Sequence, residues 1–177
     1  MVEANEDCRP VLSHVKEAAG FAIALLGKRP QKNALYFAAK HPIATSGNSI
    51  YRENTRFFED PEVRYLDMTT LDLLVSREKL KNIDLVKIDT QGSELDIVAG
   101  GRKTIAKAEF VLLETQNLEY NRGAPTIAKV MTAMEALGFR LFDVVEIHYL
   151  ITGEMVQLDL LFARVDSRFI RKGFDVP

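Results

Sequence analysis

The 177-residue chain holds one cysteine, Cys8, and no tryptophan. A lone cysteine excludes an internal disulfide and any multi-cysteine metal site. The three histidines, His14, His41 and His148, fall at spacings that match no ligand motif such as His-Glu-x-x-His. No apolar run approaches the roughly 18 residues of a membrane span. No basic stretch followed by an apolar segment opens the chain, so a signal peptide is not expected. A large charge of one sign is also missing. The 23 basic and 25 acidic residues leave a formal net charge of −2, which gives no electrostatic footprint for nucleic acid. None of the ten glycines forms a Gly-x-Gly after a strand-like run, so the phosphate-cradling turn of a dinucleotide fold is not seen. A cytoplasmic protein that contacts neither nucleic acid nor membrane is the default expectation.

What is present is ordinary globular composition, with 47% hydrophobic and 27% charged residues. The length suits one domain with a sizeable core. The most informative stretch runs from Ile83 to Gly100. Ile83 to Ile88 is mostly apolar and partly β-branched, which predicts a strand buried on both faces of a parallel sheet. Asp89-Thr90-Gln91-Gly92-Ser93 then turns polar and small. A helical stripe of Leu95, Val98 and Ala99 follows. Ligands of open α/β sheets lie beyond the carboxyl ends of the strands, which is where this unit places Asp89. Two readings of Asp89 stand side by side: a turn or capping carboxylate, or a carboxylate facing a small-molecule crevice.

Around this unit the chain alternates strands and helices. Val2 to Asn5 reads as the last residues of a buried strand and its polar exit, so a strand upstream of it is expected and lacking. Asp7 to Lys16 reads as a helix with Pro10 in its first turn and Val11, Leu12 and Val15 on one face. Phe21 to Leu26 is a buried-strand run closed by Gly27. Asn33 to Lys40 is strand-like, and His41 to Gly47 is a loop. Ser46-Gly47-Asn48-Ser49 is a polar cluster that turn chemistry alone would explain. Val63 to Met68 is a strand. Thr69-Thr70-Leu71-Asp72 has the form of a capping box. Phe110 to Leu113 is a buried strand ending at Glu114, a second carboxylate at a strand exit. Thr126 to Leu137 is a helix stopped by Gly138. Phe139 to Ile147 and Val156 to Val165 are strands with no helix between them, which predicts a terminal antiparallel hairpin. The tail, Ser167 to Pro177, mixes basic and apolar residues. The predicted class is α/β, one domain over residues 1–177, with a mostly parallel sheet.

The run Ile83-Asp84-Leu85-Val86-Lys87-Ile88-Asp89-Thr90-Gln91-Gly92-Ser93-Glu94-Leu95 resembles the FkbM-type methyltransferases. Gly47-Asn48-Ser49-Ile50-Tyr51, Thr69-Thr70-Leu71-Asp72 and Val111-Leu112-Leu113-Glu114 agree in order with further family segments. The resemblance implies a Rossmann-like class I methyltransferase fold that uses S-adenosylmethionine (SAM) to O-methylate a sugar or secondary metabolite. By position it implies a cofactor side of Glu3, on the ribose hydroxyls, with Asn5, Ala24, Leu25 and Asp89. It implies an acceptor side of Asn48, Ser49, Gln91 and Glu94. Asp89 is the first candidate for the base and Glu114 the second. The sequence carries no metal-ligand pattern, and no metal is assigned. Two departures from the family stand out. The first strand and its Gly-rich loop are not found ahead of Glu3, and Lys28 follows Gly27 where the family has an acidic residue. The gap would leave unpaired strand edges. These edges suggest a homodimer, or a non-catalytic protein that depends on a partner, as the alternative reading.

Overall fold

The computed structural model describes residues 1–16, 18–40 and 46–170. The predicted loop over residues 41–47 lies outside the described residues apart from Ser46 and Gly47, as does the tail beyond Ile170.

Two groups of strands flank a shared core. In the first, Val2–Glu3 (β1) pairs parallel with Ala22–Ile23 (β2). After Ala24 the chain resumes as Leu25–Leu26 (β3), parallel to the end of Glu62–Thr69 (β5). Gln31–Ala38 (β4) lies antiparallel to β5. The amides of Ala22 and Ala24 bond to the carbonyls of Met1 and Glu3, whereas that of Gly27 bonds to Thr69. In an extended chain alternate amides point to opposite edges. β2 and β3 are therefore one interrupted strand with β1 on one side and β5 on the other.

In the second group, Leu85–Ile88 (β6), Phe110–Gln116 (β7), Phe139–Tyr149 (β8) and Met155–Arg164 (β9) follow the spatial order β6-β7-β9-β8. Only β6 and β7 are parallel. β9 runs antiparallel to both of its neighbours. The terminal antiparallel hairpin therefore forms as predicted, with its second strand inserted against β7.

The sheets are mixed rather than mostly parallel: three pairings are parallel and three antiparallel. The reason is connection length. Parallel neighbours need a crossover of a dozen residues or more, and the short link between β8 and β9, turning at Gly153 with φ +89°, forces a reversal.

Arg9–Leu12 (α1), Leu71–Arg77 (α2), Glu94–Gly100 (α3), Arg102–Ile105 (α4) and Ile127–Ala136 (α5) complete the chain. The core gathers Leu26, Leu74, Ile97, Val98, Ile105, Val111, Leu113, Met134, Phe139, Leu160 and Phe162 from both strand groups and four helices. Gly100 joins the two halves. A Cβ there would lie 2.1 Å from the carbonyl oxygen of Gly27, so only glycine lets α3 end against the turn after β3.

Four local expectations change. The helix predicted over residues 7–16 shrinks to one 3-10 turn and α1, and Val11 is 71% exposed. The capping box shifts by one residue. Thr70, not Thr69, caps α2, accepting from the Leu73 amide at 3.3 Å. Asp72 instead accepts from the amides of Lys103 and Thr104 and the Thr104 hydroxyl, and so caps α4. β6 is not buried on both faces: Leu85 is 53% exposed, and among the described residues β6 has one hydrogen-bonded neighbour, as has β1. On α3 the fully buried apolar pair is Ile97 and Val98, with Leu95 and Ala99 half-buried.

Candidate active site at the carboxyl ends of β6 and β7

The turn after β6 owes its shape to two residues with positive φ, Gln91 at +55° and Gly92 at +101°. A Cβ on Gly92 would lie 2.7 Å from that of Ala124 and 3.1 Å from that of Asn121, so the tight approach of the loop after β7 also requires glycine. Glu94 closes the turn from below. Its Oε1 accepts from the Thr90 amide (3.1 Å), the Thr90 hydroxyl (3.2 Å) and the Gly92 amide (3.0 Å). Burial pushes the Glu94 carboxyl above its usual range, and these amides oppose the shift. The structure thus directs Glu94 into the turn itself.

Ser49 ties the Gly-Asn-Ser segment to the same turn, donating from its hydroxyl to the Thr90 carbonyl at 3.0 Å. Asn48 faces elsewhere and accepts the Ala39 amide at 2.8 Å, at the end of β4. Beyond Ser49, the Tyr51 hydroxyl donates to Asp96 on α3 at 2.8 Å. Asn121, buried in the loop after β7, donates to the Tyr51 carbonyl at 3.2 Å. Gln116 secures that loop by accepting the Asn121 amide and donating to the Ala124 carbonyl, both at 2.8 Å.

Four charged groups and two glutamines converge at the carboxyl end of β6 and on the neighbouring rungs of β7 and β9. Asp89 is exposed and pairs with Lys87 Nζ at 3.2 Å. Lys87 lies 3.9 Å from Asp159 on β9. Glu114 does not sit at a strand exit. β7 runs three residues further than predicted, and Glu114 stands in its ladder directly opposite Asp159. Its Oε2 accepts from Gln91 Nε2 at 2.5 Å, and Gln91 Oε1 accepts from Gln157 Nε2 at 3.3 Å. Burial first, and then the negative charges of Asp89, Glu94 and Asp159, push the Glu114 carboxyl up to about 8. Burial likewise raises Asp159, against the pull of Lys87.

Of the residues singled out from sequence, the fold gathers Asp89, Gln91, Glu94, Glu114 and Ser49 about one turn. The other group is separate, and no hydrogen bond or ion pair joins it to this cluster among the described residues. Glu3 Oε1 accepts the Asn5 amide at 2.8 Å, and no hydrogen bond to Oε2 is found among the described residues. Asn5 is buried, accepting from the Asp7 amide and from Arg64. Leu25 packs with Ala34, Tyr36 and Ala38, and Ala24 packs against the main core. Sequence reasoning missed His148, Gln157 and Asp159. A signal existed for two of them: Gln157 and Asp159 alternate with Val156, Leu158 and Leu160, so polar residues interrupt one face of an otherwise apolar strand. His148 carried none, because its partners lie across strands rather than along the chain.

A cleft of about 970 Å³ opens at the other end of β6, lined by Asp72, Lys79, Asn82, Lys103, Lys107 and Arg168 among others. It lies away from the carboxylates, and sheets of this kind bind ligands at the opposite, carboxyl end. No helix among the described residues is long and apolar enough to cross a membrane.

No solved structure matches the chain. Among curated proteins, 2-O-methyltransferase NoeI of Sinorhizobium fredii (strain NBRC 101917 / NGR234) is similar at 40% identity over 53 residues. That segment covers 30% of this chain and 22% of the relative. The profile described as the methyltransferase FkbM domain matches residues 2–141, from β1 through the central turn into β8. That span takes in most of the chain, with the turn after β6 and all of β7 but not β9, and the chain belongs to the FkbM methyltransferase family.

Proposed function

We propose that this chain is a SAM-dependent O-methyltransferase acting on the hydroxyl of a sugar or secondary metabolite, on a Rossmann-like sheet. The observation that carries the reading is the convergence of Asp89 and Asp159 on Lys87, with Glu114 opposite Asp159, beside the carboxyl end of β6 in a chain of this family. The relative's printed activity, 2-O-methyl transfer, fits a hydroxyl acceptor.

The donor set at the end of β1 suits the cofactor. One oxygen of Glu3 is spent on the Asn5 amide, and the other is left to accept ribose hydroxyls. When bound, SAM supplies an electrophilic methyl group on a sulfonium. The chain's own residues do the rest. Gln91 and Gly92 hold the turn that presents Asp89. Asp89, the most exposed carboxylate of the cluster, orients the acceptor hydroxyl and takes its proton. Lys87 holds Asp89 in place through their 3.2 Å ion pair.

A second reading rests on β1 and β6, which each have one ladder neighbour among the described residues. A further strand, from another segment or a second copy, would complete the sheet, and cofactor binding would then depend on it.

The test is calorimetric titration of the chain with SAM and S-adenosylhomocysteine, followed by transfer of labelled methyl to a panel of glycosides. One-to-one binding is expected. Asp89→Asn is expected to keep binding while losing about 10²-fold or more in kcat. Near-normal kcat in that variant would remove Asp89 from the chemistry. No heat from a folded protein would favour the partner-dependent reading.

A further inference from the structure

Glu114 and Asp159 oppose each other directly in the β7–β9 ladder, so two carboxylates share one face. Like charges so placed destabilise a sheet unless a proton or a cation neutralises one of them. Two residues along β9, Gln157 pairs with His148 of β8. Alternation puts residues 157 and 159 on one face. The irregularity of β8 between Val144 and Glu146 brings His148 onto the same face. One ligand atom each from Glu114, His148 and Asp159 lie within 4.8 Å of one another. Ligands on opposite sides of a small divalent ion are about 4.2 Å apart, so small side-chain rotations close the set.

A second observation points to a ligand. Asp159 is only 7% exposed, yet no hydrogen bond reaches its carboxylate among the described residues. Its nearest cation, Lys87, is 3.9 Å away and lies nearer to Asp89. A largely buried carboxylate that shares its one cation with Asp89 is poorly compensated. His148, half-buried, likewise has no hydrogen bond among the described residues. The outer shell of a metal site is already built: Gln91 donates to Glu114, and Gln157 to Gln91, which fixes the carboxylate's orientation.

We propose that Glu114, His148 and Asp159 bind one divalent first-row cation, of which Mn²⁺ is a compatible probe. Two carboxylates and one imidazole suit Mn²⁺ and leave positions open for water or hydroxyls, whereas Mg²⁺ prefers oxygen alone and binds more weakly. Holding an acceptor hydroxyl beside Asp89 would be the role of those open positions; that clause alone rests on the methyl-transfer reading.

The experiment uses the whole chain, stripped with chelator and titrated with Mn²⁺, reading the free-ion paramagnetic resonance signal without SAM or acceptor. Saturable one-to-one loss of signal is expected. His148→Ala should weaken it about tenfold or more, with His14→Ala unchanged. Asp159→Asn should do the same as His148→Ala. Should Asp159→Asn fail to fold by circular dichroism, His148→Ala decides alone, since removing that ring breaks no hydrogen bond among the described residues. No binding at millimolar Mn²⁺, or equal affinity in His148→Ala, overturns the proposal. Neither result bears on methyl transfer, and a failed transfer assay leaves the Mn²⁺ result standing.

Discussion

Replacing Glu94 tests whether one buried carboxylate holds the turn on which the site depends. Glu94 Oε1 accepts three hydrogen bonds from Thr90 and Gly92. In Glu94→Ala the Gly92 amide, which is buried, loses its acceptor with no access to water. The Thr90 amide and hydroxyl are half-buried and rehydrate in part. A stripped buried donor costs about 1–3 kcal/mol, so the sum is about 2–4 kcal/mol. A chain of this size loses about 2–4 °C of Tm per kcal/mol, so the expected fall is roughly 4–16 °C. Glu94→Gln keeps an acceptor oxygen in the same place and should cost less than about 1.5 kcal/mol. Urea unfolding followed by circular dichroism measures both variants. A Glu94→Ala stability within about 0.5 kcal/mol of the parent, the range of an ordinary surface change, would show that the turn stands without this residue. Glu94 would then be free to face a substrate.

Two further outcomes follow from the same geometry. The folded pKa of Glu114 is raised to about 8, above the unfolded value of 4.5. The stability it contributes is therefore full below about pH 4.5 and is lost as the pH climbs through 8. In chelator, the urea midpoint should fall between pH 5 and 8, and Glu114→Gln should flatten that slope; an unchanged slope would refute the assignment. Gly92→Ala meets both a φ of +101° and a Cβ contact of 2.7 Å with Ala124. It should cost about 2–4 kcal/mol in the same unfolding assay, and a neutral result would mean that the turn relaxes.

Much of the fold was legible locally. The apolar run into Asp89, the Gly138 stop of α5 and the unbroken pair of terminal strands each carry their signal within a few neighbouring residues. The family segments, read in order along the chain, pointed to the domain for the same reason. Boundaries were less secure where a partner decided them. β7 extends to Gln116 because β9 lies beside it as far as Gln157. Asp72 looked like the acid of its own helix start, yet the packing of α2 on α4 turns it to cap the neighbour.

The sequence by itself determined the element types, the α/β class and the central strand–turn–helix with its carboxylate. These rest on periodicity and backbone preference, which act over a few residues. Only the tertiary structure decided which charges meet. Asp159 and His148 reach Glu114 through strand register, and register is a property of paired chains that no single strand carries. The exposure of β6 was likewise settled in three dimensions. Its composition asks for burial on both faces, but a strand is buried only where a neighbour and a covering layer exist, and on one side β6 has no ladder partner among the described residues.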